Sequence, residues 1–443
     1  MLSTSEVHEH RVVTASDPDY DARRATFNGM TDRRPLEIHE CTGVDDVVAA
    51  VRRARALGVP VSVRGGGHSV AGHSVGDGAL AIDLRGMRRV DVDPVGRTAT
   101  AQGGATWLDY DTATLRHGLA STGGTFVDTG IAGLTLGGGI GYLMGTQGFA
   151  VDTLTGVRMV TADGETVTAS EHEHEELFWG IRGAGANFGV VVEFQYRLQA
   201  VGELYGGVIS YGISVAAQVL RAARDIAAEA PDALSLQYVA GRRTATADVL
   251  VCFQGPAAEG ERLLRPLRHM NHVESDALRP LTYSEMQAAN PLLPPGLRHY
   301  WKGQFLRSLP DELVETSGEH VARRPAGFST IMIEFIGGAA LRMPPEAMAF
   351  NLRDARMNAS ALGIWAQPAA DAENIAWVRE YAAAVAPYAT GREYVNYAAQ
   401  DVTLDRLRVT YGEAKFARLQ DLKARYDPDN VFRFNQNIPP RAA

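Results

Sequence analysis

The stretch Arg64-Gly65-Gly66-Gly67-His68-Ser69-Val70-Ala71-Gly72, echoed further on by Gly130-Ile131-Ala132-Gly133-Leu134-Thr135-Leu136-Gly137-Gly138-Gly139-Ile140-Gly141, decides how this chain is read. The run Pro60-Val61-Ser62-Val63 before it has the composition of a short strand. That strand empties into glycines, whose missing side chains leave backbone N–H groups bare. A third glycine-rich segment, Gly183-Ala184-Gly185-Ala186-Asn187-Phe188-Gly189, runs directly into a strand pattern from Val190 to Tyr196. One such loop is an ordinary turn. Three in one half of a chain imply concavities of bare N–H groups around an anion, most simply the phosphates of a cofactor. Context excludes a nicotinamide-type fingerprint, which must follow a strand and open a helix. Gly183-x-Gly185 opens a strand instead, and no helical periodicity follows Gly65-Gly66-Gly67.

Outward from these loops the pattern is mixed. Val44, Val47, Val48, Val51, Ala54 and Leu57 recur at helical spacing, with Thr42 as N-cap and Gly58 as stop. Strands are expected at Leu80 to Leu84, Val90 to Val92 and Arg97 to Gln102, the last two joined by a turn at Asp93-Pro94-Val95-Gly96. A helix from Trp107 to Arg116, a hairpin from Val157 to Val167 and a short helix from Glu173 to Trp179 complete a first lobe ending near residue 200. From about 203 to 390, helices such as Val215 to Ala230 and Ala372 to Val385 alternate with strands such as Leu234 to Val239, Val249 to Phe253 and Ile331 to Ile336. One long helix is expected from Leu404 to Arg425, stopped by Tyr426-Asp427-Pro428. The class is α+β, the second lobe carrying an antiparallel sheet covered by helices.

Bulk properties narrow the function. The chain has 443 residues, 45% hydrophobic and 21% charged, as expected of a globular protein too long for one ordinary core. A net charge of -9 argues against a nucleic-acid partner, which needs clustered Lys and Arg. The least polar stretch, Ile131 to Met144, falls short of the roughly 20 apolar residues of a membrane span. Met1 to His10 lacks the basic and apolar regions of an export signal, so the expected location is cytoplasmic and the expected assembly a monomer or homodimer. Two distant cysteines, Cys41 and Cys252, support neither a disulfide framework nor a Cys-based zinc site, and no metal is expected.

The glycine loops with Asp83-Leu84 resemble the FAD domain of the vanillyl-alcohol oxidase and p-cresol methylhydroxylase superfamily. The tail resembles its berberine-bridge-enzyme-like branch: Tyr394-Val395-Asn396-Tyr397, Tyr411-Gly412, Leu419, Lys423, Tyr426-Asp427-Pro428 and Asn435-Gln436-Asn437-Ile438. The likeness spans roughly residues 35 to 440. It implies a leader over 1–35, a two-part FAD-binding domain over 36–200, a substrate domain over 201–392 and a C-terminal segment over 393–443 that returns to the FAD domain.

The resemblance also implies site residues. His68 would carry FAD on its 8α-methyl carbon, with Arg64, Gly65, Gly66, Gly67, Ser69 and Gly72 around it. Gly124, Thr125, Asp128, Thr129, Gly130, Gly133, Gly137, Gly138, Gly139 and Gly141 would follow the cofactor, joined by Val191, Asn435 and Asn437. Many relatives add a second bond from a cysteine where this chain has Phe126, which has no nucleophile, so a single attachment is expected. Thr129 stands where relatives use Val or Leu to admit or hinder dioxygen. Its size resembles that of Val, which points to an oxidase with O2 as acceptor. Asp128 reads either as a loop residue or as a substrate contact, and His73 as structural.

For the substrate, Tyr394 and Tyr397 are both candidate bases, with Lys302 as a cation to stabilise phenolate. A tyrosine titrating near 10 is otherwise a poor base at neutral pH. Glu334, on an apolar strand, is a further acid–base candidate. The expected activity is hydride transfer from a small alcohol, hydroquinone or amine to FAD. A carbohydrate oxidase and a flavin-bearing sequestering protein are the alternatives.

Overall fold

The glycine-rich half is organised by two sheets. In a computed structural model, which describes residues 10–241 and 245–441, a four-stranded sheet runs in the order Arg11–Val13, Glu37–Glu40, Leu80–Asp83, Val61–Arg64. The last three strands are parallel. A five-stranded antiparallel sheet follows in the order Val90–Asp93, Thr98–Gln102, Val190–Arg197, Leu154–Val160, Thr166–Ser170. Residues 1–9 of the expected leader lie outside the described residues. The helix Val44–Leu57 forms where its periodicity predicts, and Gly58 stops it at φ 67°. Its N-cap is Gly43 rather than Thr42, because the Asp46 carboxylate reaches back to accept from the Thr42 and Gly43 N–H groups.

The second lobe is built on a nine-stranded antiparallel sheet. Its centre runs Thr246–Gln254, Leu234–Ala240, Thr330–Phe335, Met357–Trp365, Arg298–Leu306. Strand alternation gives each residue one of two faces. Ile331, Ile333 and Phe335 pack with Val219, Leu313 and Trp377 of the helices Ala216–Glu229, Asp311–Ala322 and Asp371–Val385. Met332, Leu362 and Ile364 belong to a separate cluster on the opposite face. The helix expected from Leu404 to Arg425 is two helices, Leu404–Tyr411 and Glu413–Tyr426, because Gly412 adopts φ 79° between them.

Buried charges tie the C-terminal segment and the second lobe to the first. The Lys423 ammonium, fully buried, donates to Asn187 O, Phe432 O and the Asp427 carboxylate. Arg353 forks onto Asp152 at 2.7 and 2.5 Å with both side chains nearly inaccessible. Removing one partner of either pair would strand a buried charge, a loss of about 3–5 kcal/mol.

Candidate active site

A cleft of about 290 Å³ lies between the glycine loops and the face of the large sheet turned away from the helices Ala216–Glu229, Asp311–Ala322 and Asp371–Val385. One wall brings together Gly65, Gly66, Gly67, His68 and Ser69 with Thr125, Asp128, Thr129, Gly130, Gly133 and Gly137. The opposite wall is Val239, Thr330, Met332, Leu362 and Ile364 from three neighbouring strands, with Trp301 and Leu293. Tyr394, Tyr397 and Asn435 reach the cleft from the C-terminal segment.

The glycines serve two purposes, and the sequence reading saw one. Gly66 and Gly130 cross so closely that a Cβ on either would overlap the other's backbone, which joins the two loops into one surface. A Cβ on Gly133 would meet nothing within 4 Å, so that position faces open space. Gly124, Gly138, Gly139 and Gly141 instead admit Trp107, Phe350, Leu134 and the Gly123 carbonyl, and none of the four lines the cleft. Gly72 packs on Thr31. Val191 is core, and Arg64 is buried beneath the loop, donating to the carbonyls of Arg23 and Ala25. The third glycine segment does line the cleft, though not as an open loop: Gly183 lies in a break of the helix Glu175–Ala184, and Gly185–Asn187 forms a 3-10 turn.

A segment that drew no functional reading closes the histidine loop. Phe27 stacks on the His68 ring at 4.5 Å and on His299 at 4.2 Å, joining the two histidines through its faces. Asn28 donates to Val70 O in the first lobe and to His299 O in the second. Arg33 binds the carbonyls of Ala71, Gly72 and Val75. The His68 imidazole lies 3.4 Å from the Asp128 carboxylate. His73, read as structural, also lines the cleft, and burial pushes its pKa down to about 4.

Tyr394 and Tyr397, with ring centroids 4.8 Å apart, have opposite partners. The Tyr394 oxygen accepts from Gly139 N, Ile140 N and Asn396 Nδ2 at 3.0, 3.1 and 3.0 Å, clamping the second glycine loop. The Tyr397 hydroxyl donates to Glu334 Oε1 at 3.0 Å, while Asn358 donates to Glu334 Oε2 at 2.8 Å. Burial raises the Glu334 pKa to about 7 despite those two hydrogen bonds. Burial and the neighbouring carboxylate hold both tyrosines above their ordinary range. Lys302, expected to stabilise a phenolate, sits on the other face of its strand from Trp301 and pairs with Asp401 at 3.1 Å. Strand alternation is the reason, and the charge facing Tyr397 is a carboxylate instead.

An FAD fits this donor set. Asn435 Oδ1, Ser74 Oγ, His73 Nδ1 and Trp301 Nε1 belong to residues lining the cleft and are buried polar atoms with no hydrogen-bond partner among the described residues, as is Asn437 Oδ1, which is not part of that lining. Such atoms are costly unless a ligand or water satisfies them.

Comparison with known proteins agrees with this geometry. Residues 35–170 match the family model described as FAD binding domain, and residues 393–439 match that described as berberine and berberine like. The chain is 30% identical over 442 residues to the uncharacterized FAD-linked oxidoreductase YgaK of Bacillus subtilis, covering 97% of each. It is also 30% identical to (R)-6-hydroxynicotine oxidase of Paenarthrobacter nicotinovorans, covering 100% of this chain and 99% of that one. The crystal structure of 6-hydroxy-D-nicotine oxidase from Arthrobacter nicotinovorans superposes with a TM-score of 0.89 at 29% identity over both full chains. A chitooligosaccharide oxidase superposes at 0.86 with 25% identity over 98% of each. The chain belongs to the FAD-linked oxidoreductases of the berberine-bridge-enzyme-like family. It is an enzyme that binds FAD and acts on a small molecule, and among its described residues no helix is long and apolar enough to cross a membrane.

Proposed function

We propose that this enzyme is an oxidase of a compact, largely apolar alcohol, hydroquinone or amine, with FAD held covalently by His68 alone. The observation that carries the reading is the Tyr397–Glu334 hydrogen bond at the edge of the cleft. FAD supplies a hydride acceptor in its isoalloxazine ring and an outlet for the electrons to dioxygen. Tyr397 receives the proton of the substrate O–H or N–H as its own passes to Glu334. A free phenolate is never formed, which suits a tyrosine held protonated beside a carboxylate. Glu334, with a pKa near 7, is matched to proton transfer at neutral pH. Tyr394 keeps the second glycine loop in place and moves no proton. The loop residues Gly65 to Ser69, Gly130 and Gly133, with Asn435, hold the cofactor, and Thr129 leaves dioxygen a path to it.

The sheet wall supports the substrate class. Val239, Met332, Leu362 and Ile364 offer apolar surface, with Thr330 as a single hydroxyl among them. A sugar ring would leave most of its hydroxyls unpaired against such a wall, at about 1–3 kcal/mol for each buried one. Oligosaccharide oxidation remains the second reading because a chitooligosaccharide oxidase shares the fold.

Anaerobic mixing with a panel of apolar alcohols, hydroquinones, cyclic amines and oligosaccharides tests the proposal. Bleaching of the flavin absorption by the first three classes and recovery in air is the expected result. Bleaching by oligosaccharides alone establishes the second reading, and binding without bleaching by any compound identifies a sequestering protein.

A further inference from the structure

The proton relay leaves one ionisable contact of the cleft unused. Asp128 Oδ2 lies 3.4 Å from His68 Nε2, carried there by a turn in which Thr129 N donates to Phe126 O at 3.2 Å. Phe27 covers one face of the same imidazole at 4.5 Å. A stacked face and a carboxylate at one nitrogen together fix the ring's orientation. An ionised carboxylate only accepts hydrogen bonds, so the proton of a neutral imidazole beside it sits on Nε2 and the lone pair on Nδ1. Burial raises the Asp128 carboxyl, but the His68 imidazole beside it outweighs burial and leaves it below the ordinary range.

We propose that Asp128 is the positioning residue for covalent attachment of FAD: it selects the Nε2–H tautomer of His68, makes Nδ1 the nucleophile and so dictates a linkage through Nδ1. This rests on the covalent reading given above. In the attachment, one C–H bond of the 8α-methyl carbon breaks and a C–N bond forms from Nδ1 to that carbon. The ring becomes cationic as the bond forms, and Asp128 stabilises that charge and accepts the Nε2 proton. The methyl proton and the Nε2 proton, with the two electrons released, leave to dioxygen as hydrogen peroxide. A carboxylate that orients an imidazole and stabilises its cationic form is the division of labour found in Ser-His-Asp triads, applied here to building the cofactor rather than to turnover.

The test compares the full-length wild type with Asp128→Ala, Asp128→Asn and Asp128→Glu. Each is supplied with excess FAD in aerated buffer, sampled over time and acid-precipitated, and pellet absorbance reports covalent flavin. Gel filtration before precipitation reports total bound flavin. Asp128→Ala is expected to keep FAD on gel filtration while attaching it at least tenfold more slowly. Asp128→Asn, the same size, separates loss of charge from loss of packing and should be slowed as well, whereas Asp128→Glu should recover part of the rate. The wild-type flavopeptide should be linked through Nδ1 by NMR. Attachment in Asp128→Ala and Asp128→Asn within twofold of wild type, or a wild-type linkage through Nε2, overturns the role of Asp128 and leaves covalent attachment standing. A colourless wild-type pellet overturns both.

Discussion

On one side of the cleft the wall is backbone, made by Gly65–Gly67 crossing Gly130, with open space at Gly133. On the other it is side chain, made by alternate residues of long antiparallel strands. The backbone wall is nearly intolerant of substitution, because a Cβ at Gly66 or Gly130 has nowhere to go. The sheet wall can change residue by residue without disturbing a ladder whose hydrogen bonds are all main-chain. A family that keeps one cofactor and varies its substrate needs this division, with what must stay the same fixed in main chain and what must vary written in side chains.

The division breaks first at the relay. Tyr397→Phe and Glu334→Gln should each slow flavin reduction by roughly 10²–10⁴-fold while leaving flavin content unchanged. Stopped-flow reduction and the visible spectrum together check this. The same pair sets the pH profile: Glu334 must be ionised to receive a proton, so the reduction rate should rise with pH through about 7. Glu334→Gln should lose that limb. For stability the sign is opposite. A carboxyl whose pKa is raised to about 7 on folding makes the folded chain bind more protons than the unfolded one above an ordinary value of 4.5. Its contribution is therefore complete below pH 4.5 and is lost as pH rises towards 7, so melting temperature relative to Glu334→Gln should fall across that window.

The backbone wall should fail in the reverse manner. Gly66→Ala forces the two loops apart and should lower flavin occupancy severalfold and stability by about 1–3 kcal/mol, while protein that still loads should be reduced by substrate at near the wild-type rate. Absorbance ratios and denaturant titration measure the two effects. A loaded Gly66→Ala enzyme that is as impaired in reduction as Tyr397→Phe would abolish the distinction between the walls.

A smaller effect is expected at Thr129. Thr129→Leu narrows the path for dioxygen and should slow reoxidation about tenfold, equivalent to about 1.4 kcal/mol, with reduction little changed. Mixing reduced enzyme with aerated buffer gives the rate directly, and an unchanged rate removes Thr129 as the gate. The smallest effect belongs to Lys302, which pairs with Asp401 away from the cleft. Lys302→Ala should leave kcat and KM within about twofold of wild type, as expected for loss of a partly exposed ion pair. A large fall in kcat would return a cation to the mechanism.

The glycine loops were legible in the sequence because glycine at close crossings is compulsory, and the residue type itself discloses the geometry. The same compulsion misled in detail, since Gly124, Gly138, Gly139 and Gly141 answer to Phe350, Trp107 and other neighbours that local sequence does not reveal. The relay was half legible. Glu334 was conspicuous as a carboxylate on an apolar strand, and both tyrosines were visible in the tail, but their pairing spans 63 residues and depends on the register of the large sheet. Lys302 was assigned to the wrong face because Tyr300-Trp301-Lys302 has no period-2 polarity to show which residue points where. Phe27 and Asn28 gave no signal, being an aromatic and an amide with no motif around them in a polar leader.

Asn28 also sets an order of events during synthesis. Its amide joins the histidine loop to His299, which the ribosome adds 271 residues later. At about 5–20 residues per second that interval is roughly 15–50 s, and the first lobe, complete near residue 200, passes the last part of it with its strap unanchored. The pocket beside His68 is therefore finished only when the second lobe docks. A nascent chain truncated before the strand Arg298–Leu306 should hold flavin loosely, however well its glycine loops have folded. Cofactor capture thereby becomes a late checkpoint on the assembly of the whole molecule rather than an early property of its N-terminal half.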